Sequence, residues 1–286
     1  MGGGLMNGTP LTIAIGLLLS AGIHADTLVL KNGQTVAAQS FLRQGDSLVV
    51  AAGPGGGPAT STPLKEIEKV ELTPSPLLGS APALLATGKA AEVLTDSKEA
   101  VKLAEVFGDL PGSHWPDLMV LQAHVLLATG GHDEAEKLAA VLEKTKKTDL
   151  VSDARAIRLL IAARKGDCQP AASLAEPLME GATRPSTLAA ASVALGLACL
   201  EGKQFENALK AFLELPVFLP EQTALDGIAQ LGAAHAYYGM EDYERAIAAL
   251  ESLIKSRPGT PEISTAQTLL PEWKRRQSVL LEAKES

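Results

Sequence analysis

Five alanines recur in one setting along this chain: Ala100 in SKEAVKLA, Ala135 in HDEAEKLA, Ala171 in CQPAASLA, Ala208 in FENALKAF and Ala246 in YERAIAAL. Successive members lie 35, 36, 37 and 38 residues apart. Each follows a turn-forming stretch and sits near the start of a run with helical spacing, so each marks the second helix of a helix–turn–helix unit. A near-constant period of this length means a stack in which every unit buries its apolar face against its neighbours. Leu250 follows Ala246 by four positions and Phe212 follows Ala208 by the same interval. A small residue, Gly196 or Ala234, precedes each of these two alanines by twelve. Two helices cross closely only where neither carries bulk, so these are read as packing residues. Pro220 and Pro258 lie twelve positions beyond the alanines. They end second helices, because proline has no amide donor and clashes with the preceding turn.

Leu195-Gly196, Cys199, Ala208, Phe212 and Pro220 in the fourth unit resemble the tetratricopeptide repeat pattern, as do Ala233-Ala234, Tyr237, Ala246, Leu250 and Pro258 in the fifth. The second unit keeps Ala123, Leu126 and Ala135, with Lys147 in the proline's place; the third has Leu159 at the small-residue position, and the first Gly88 and Ala100. The resemblance covers about residues 81–258. It implies a right-handed α-solenoid of about five helix pairs whose first helices line a concave binding face. Carried over residue by residue, that face comprises Val120, His124 and Leu127, then Leu160 and Arg164. Leu197, Leu200 and Glu201 come from the fourth unit, and Leu231, His235 and Tyr238 from the fifth. The set is mostly apolar, which favours an apolar or helical peptide as ligand. Filling of the groove by the protein's own tail helix or β module is the competing expectation.

Upstream of the repeats the period changes. Residues 26–73 read as a small antiparallel β module, with Asn32-Gly33 and Gly45-Asp46 as hairpin turns and Ile67, Val70 and Leu72 as inward residues. In pattern it is similar to Sm-like or SH3-like modules, and it is small enough to lean on the helical region after it. GPGGGP at Gly53–Pro58 lacks the Lys-Ser/Thr pair of a phosphate loop and reads as a hairpin loop. The proline-rich residues 74–82 read as a linker, 83–260 as the solenoid and 261–286 as a capping helix interrupted near Pro271. Leu11–Ile23 is apolar and ends at a small-residue site before Asp26, so residues 1–25 read as a signal peptide lacking a basic start. The expected location is therefore periplasmic or secreted, with no stable transmembrane span.

The remaining composition narrows function by exclusion. Lys+Arg total 25 against 33 Asp+Glu, a net charge of −8 without clustered cations, which argues against a nucleic-acid surface. Only 3% of residues are aromatic, so alanine and leucine must fill the core. The histidines (His24, His114, His124, His132 and His235) form no HExxH, and no GxSxG or CxxC occurs. No metal, cofactor or enzymatic reaction is expected. Trp115 and Trp273 are read as gap fillers. Cys168 and Cys199, at the start of one helix and the end of a neighbour, are expected either to form a disulfide, which an exported compartment permits, or to serve as buried thiols. The function expected is a noncatalytic scaffold or adaptor for a protein or peptide partner in the bacterial cell envelope. Binding of a small molecule or glycan is the second reading.

Overall fold

The structure is a computed structural model that describes residues 26–38, 40–50, 60–257 and 260–285. The signal-peptide segment, the Gly53–Pro58 loop and Pro258 lie outside the described residues. The chain is mostly helical, preceded by a small β module of two antiparallel three-stranded sheets. Strands β1 (Asp26–Leu30), β2 (Thr35–Ala38) and β6 (Ile67–Glu71) form one sheet in the order β2-β1-β6. Strands β3 (Phe41–Gln44), β4 (Ser47–Val50) and β5 (Thr60–Pro63) form the other. Gly33 turns the first hairpin at φ 83° and Gly45 the second at φ 58°, a region that favours glycine. The Asn32 carboxamide accepts a hydrogen bond from the Gln34 amide and tightens the first turn.

The module leans on the helices, as its size requires. Phe107, in the connection after the second helix, meets Phe41 edge-on at 5.8 Å and joins the module's core of Leu28, Leu48, Ile67 and Val70. The Val70 amide donates to the Pro111 carbonyl at 2.7 Å. A side chain at Gly112 would sit 2.0 Å from the Val70 carbonyl oxygen, so only glycine admits this approach.

Eleven helices come next among the described residues: α1 (Pro76–Ala86), α2 (Ala90–Ala104), α3 (Trp115–Ala128), α4 (His132–Lys144), α5 (Thr148–Arg164) and α6 (Gln169–Glu180), then α7 (Pro185–Glu201), α8 (Phe205–Phe218), α9 (Asp226–Gly239), α10 (Tyr243–Ser256) and α11 (Glu262–Glu285). The segment read as a linker thus contains most of α1. Pro76 occupies a helix start, where its missing donor costs nothing, and Leu77, Ala81 and Leu85 recur at intervals of four and are buried. Pro271 does not interrupt α11, whose Ala266 and Trp273 are anchored in the core formed with α9 and α10.

Each even-numbered helix packs on the helix before it and the helix after it. Each odd-numbered helix also touches the next odd-numbered one, from α1 to α11. The recurring alanines fall on α2, α4, α6, α8 and α10, and all but Ala100 are fully buried. A short turn at Thr223–Leu225, between α8 and α9, reaches back to touch α1 and α3 as well as α7 and α9. The first and fourth units are therefore brought together, and the array curls around that turn.

Phe212 of α8 is packed closely against two neighbouring helices at once. A Cβ added at Gly196 on α7 would lie 2.6 Å from the ring, and one at Gly232 on α9 only 2.3 Å. The ring is wedged against two bare stretches of helix backbone. Gly232→Val is expected to lower stability by about 1–3 kcal/mol through overpacking. Combining it with Phe212→Leu should cost less than the two single changes summed, as read from denaturant midpoints. Gly79 of α1 faces open space, so Gly79→Ala should instead stabilise by up to about 1 kcal/mol.

Candidate binding site

The starts of α3, α5 and α7 lie together, and charged residues meet there. Asp117 lies in the first turn of α3, Asp153 near the start of α5, and Arg184 caps the start of α7. Arg184 Nε donates to Asp153 Oδ2 at 2.5 Å and its Nη2 to Asp117 Oδ1 at 2.6 Å. The hydroxyls of Ser186 and Thr187 both donate to Asp153 Oδ1, each at 2.7 Å. Asp153 is only 1% exposed. Burial pushes its carboxyl up from the ordinary range, against the opposing pull of Arg184 and the two hydroxyls. One guanidinium thus ties three helices together, and the buried acid under it is fully hydrogen-bonded.

Above this network lies a cavity of about 480 Å³ bounded by α1, α3, the start of α7 and the turn at Glu221–Ala224. Asp117, Val120, Leu121 and His124 project into it from α3 because three- and four-residue spacings share a helix face. His124 is 3% exposed, and its Nε2 is buried without a hydrogen-bond partner. Burial, assisted by the charge of Arg184, lowers its pKa to about 4. The imidazole is therefore neutral at physiological pH. Ser186 gives its proton to Asp153 rather than to His124, so no activated nucleophile is assembled here.

A larger cavity of about 970 Å³ lies along α6, α7 and α8. Asp167, Glu176, Glu180, Glu201 and Glu214 make it acidic, with Lys210 the one basic residue in its lining. Cys168 and Cys199, read as a disulfide or as two thiols, both line it and are free cysteines in the structure. Burial, helped by Glu201, pushes the Cys168 thiol up to about 12, and burial also raises Cys199. Both sulfurs are therefore protonated at neutral pH, which rules them out as ready nucleophiles.

Of the residues expected on a concave face, the structure brings Val120 and His124 to the smaller cavity. Leu127 and Leu160 are fully buried in the core that the helices share, and Leu197 and Leu200 pack against that core. Glu201 lines the acidic cavity instead. Arg164 is 3.6 Å from the carboxylate of Glu262, which opens α11 and is itself 3% exposed. His235 and Tyr238 meet α11, where Trp273 stacks on Tyr238 at 4.3 Å and meets His235 edge-on at 5.3 Å, and Leu231 packs against the core that α9, α10 and α11 share. The tail helix fills the far part of the face because the apolar surface of α9 has no other element to bury it.

The periodicity carried no signal for Asp117, Asp153, Arg184 or Ser186. Arg184 pairs with residues 31 and 67 positions away, separations that no local pattern encodes. The only local hint is an aspartate within the apolar run of α5, since a charge at a buried helix position requires a partner.

Among the described residues no group of three or more His, Cys, Asp or Glu is placed to hold a metal ion. No described helix is long and apolar enough to cross a membrane. Comparison of the chain with protein-family models, curated proteins and solved structures returns no match.

Arg184→Met should destabilise the fold by about 3–5 kcal/mol, because it strands the buried Asp153 charge. Adding Asp153→Asn, which still accepts from Ser186 and Thr187, should recover part of that loss in chemical denaturation. A second expectation concerns pH. The folded pKa of His124, about 4, lies below the ordinary 6.5. The unfolded chain therefore takes up the proton first, and the stability His124 contributes is present above pH 6.5 and lost as pH falls towards 4. Asp153, Asp226 and Glu262, raised by burial, act with the opposite sign. The His124→Leu variant isolates the effect: on acidification the parent should lose up to about 3 kcal/mol more stability than the variant.

Proposed function

We propose that this protein is a noncatalytic scaffold or adaptor of the bacterial cell envelope, a tetratricopeptide-like right-handed solenoid that holds a protein or peptide partner on the face of its odd-numbered helices. The observation that carries the reading is the cavity beside α3. It is a part of that face the chain does not fill itself, lined from α3 by Val120, Leu121 and His124. The recurring alanines at 35–38 residue spacing support the repeat assignment, and the apolar Leu11–Ile23 run supports export.

A small-molecule ligand is the second reading, favoured by a volume of about 480 Å³ that lies within the range of small-molecule pockets. A glycan fits this cavity less well, because no Phe, Tyr or Trp ring lines it for a sugar to stack on.

Leu121 lines the cavity and is only partly buried, so Leu121→Trp should occlude it without disturbing the fold. In cross-linked pull-downs from the native envelope, the parent chain is expected to capture a defined protein and the variant to lose at least tenfold of it, at unchanged melting temperature. Mass spectrometry of the recovered chain should place its N-terminus at or near Asp26. Equal capture by both forms, or recovery from the cytosol with an intact Met1, would overturn the corresponding half of the proposal.

A further inference from the structure

Successive repeat units differ at three equivalent positions, and a groove opens where they differ. Arg158 of α5 donates from Nε to Glu136 at 2.8 Å and from Nη1 to Glu143 at 2.7 Å, both on α4. Arg158 precedes Ala171 by thirteen positions, and Leu195 of α7 precedes Ala208 by the same thirteen. Glu136 and Glu143 follow Ala135 by one and eight, as Ala172 and Met179 of α6 follow Ala171. One unit further along, an ion-paired triplet is thus replaced by leucine, alanine and methionine. All three replacements line the cavity of about 970 Å³ along α6, α7 and α8. They can be met from solvent, since Ala172 is exposed and Leu195 and Met179 are only half-buried.

The groove has an apolar floor and an acidic rim. Ala198 and Cys199 of α7 and Ala211 of α8 join Leu195 in the floor. Asp167, Glu176, Glu180, Glu201 and Glu214 stand around it against the single ammonium of Lys210. Among the described residues these five carboxylates have no cationic partner, whereas Asp133, Glu134, Glu136 and Glu143 of α4 are all paired. Unpaired like charges repel one another, and a cation brought from outside relieves them. The lining of α6 runs from Gln169 to Glu180, about 16 Å of helix at roughly 1.5 Å per residue. Charges spread over that length do not converge on one ion, and among the described residues no three such groups are placed to hold a metal. The fitting occupant is elongated, carries several cations and has apolar surface to bury.

A helix meets these conditions better than an extended strand. The groove is walled by helices and offers no sheet edge, so an extended chain would leave its amides and carbonyls short of partners, while a helix satisfies them internally. Ala172, Ala198 and Ala211 add little bulk and let a helix backbone come close. The chain's own apolar stretch Leu11–Ile23 has no charged side chain and does not match the rim.

We propose that this groove docks an amphipathic helix of a partner protein, its apolar stripe laid on Leu195, Met179 and Ala172 and its lysines or arginines over the carboxylate rim. The surface shares no lining residue with the cavity beside α3, so the two readings are tested separately.

Fluorescence anisotropy with the full chain tests this at about 0.15 M salt, where distant charges are screened. The probes are labelled helical peptides of about fifteen residues. One is built of leucine and lysine, one of alanine and lysine with the same charge, and one of leucine and glutamate; unlabelled spermine serves as competitor. The leucine–lysine peptide should bind roughly tenfold more tightly than the alanine–lysine peptide, and the leucine–glutamate peptide should not bind. Ala172→Arg, which returns a guanidinium to the groove from an exposed position, should weaken binding by about tenfold or more at unchanged melting temperature. Removing two rim charges with Glu176→Gln and Glu180→Gln should weaken it on the order of tenfold, and this pair decides the matter should Ala172→Arg fail to fold. Asp96→Asn with Glu99→Gln, on exposed positions of α2, and Leu121→Trp should each leave binding unchanged. No binding, equal binding of the alanine–lysine peptide, or binding that survives Ala172→Arg would overturn the proposal. Spermine binding as tightly as the peptide would make a small polycation the occupant and also overturn it. Loss of the peptide in Leu121→Trp alone would move it to the cavity beside α3, removing the groove while leaving the earlier reading in place.

Discussion

Helices in this protein lie close enough for an aromatic ring to touch bare backbone on two of them at once, and the architecture depends on that closeness. Phe212 sits between Gly196 of α7 and Gly232 of α9. Phe205 makes the same kind of contact, since a Cβ added at Gly239 would lie 2.3 Å from its ring. With few aromatic residues available, the fold uses these two to lock neighbouring helices, and alanine fills much of the core around them. An alanine-lined core contributes little apolar area per residue, so its stability depends on short interhelical distances and dense contact. A β-carbon at either glycine on Phe212 would separate the helices and loosen every unit stacked on them.

Buried ion pairs then fix how the close-packed helices are aligned. Arg184 joins α3, α5 and the start of α7 through Asp117 and Asp153. Asp226, at the start of α9, is paired with Arg257 just beyond α10. Glu262 brings the start of α11 to Arg164 at the end of α5, and its carboxylate lies so near Gly227 that a Cβ there would approach within 2.9 Å. Taking such charges out of water is expensive, and an apolar substitute of the same shape would often be at least as stable. What the pairs supply is discrimination: a misaligned helix leaves a charge buried alone. An alanine surface that could slide is thereby held in one register.

The candidate site is what remains once the chain has covered its own apolar faces. The tail helix takes the surface of α9, and the Thr223–Leu225 turn closes on α1 and α3. Between that turn and α3 the covering stops short, and Val120, Leu121 and His124 line the space that remains. The Arg184 network forms part of the lining, so the same residues that align α3, α5 and α7 also set the polarity of the cavity.

The sequence by itself determined the units and their spacing. The buried alanines, the two hairpin turns and the inward residues of β6 are local matters of volume, backbone freedom and period, and each was legible from a few neighbouring residues. That His124 shares a helix face with Val120 was legible for the same reason. Tertiary structure alone decided that His235 and Tyr238 lie against Trp273 and that α11 runs through Pro271. It also decided that Arg184 finds partners 31 and 67 residues away. Those outcomes depend on how far the stack curls, and the curl accumulates from many small crossing geometries. No single repeat contains it, which is why the periodic pattern disclosed the packed alanines but not which helix faces the protein would cover itself.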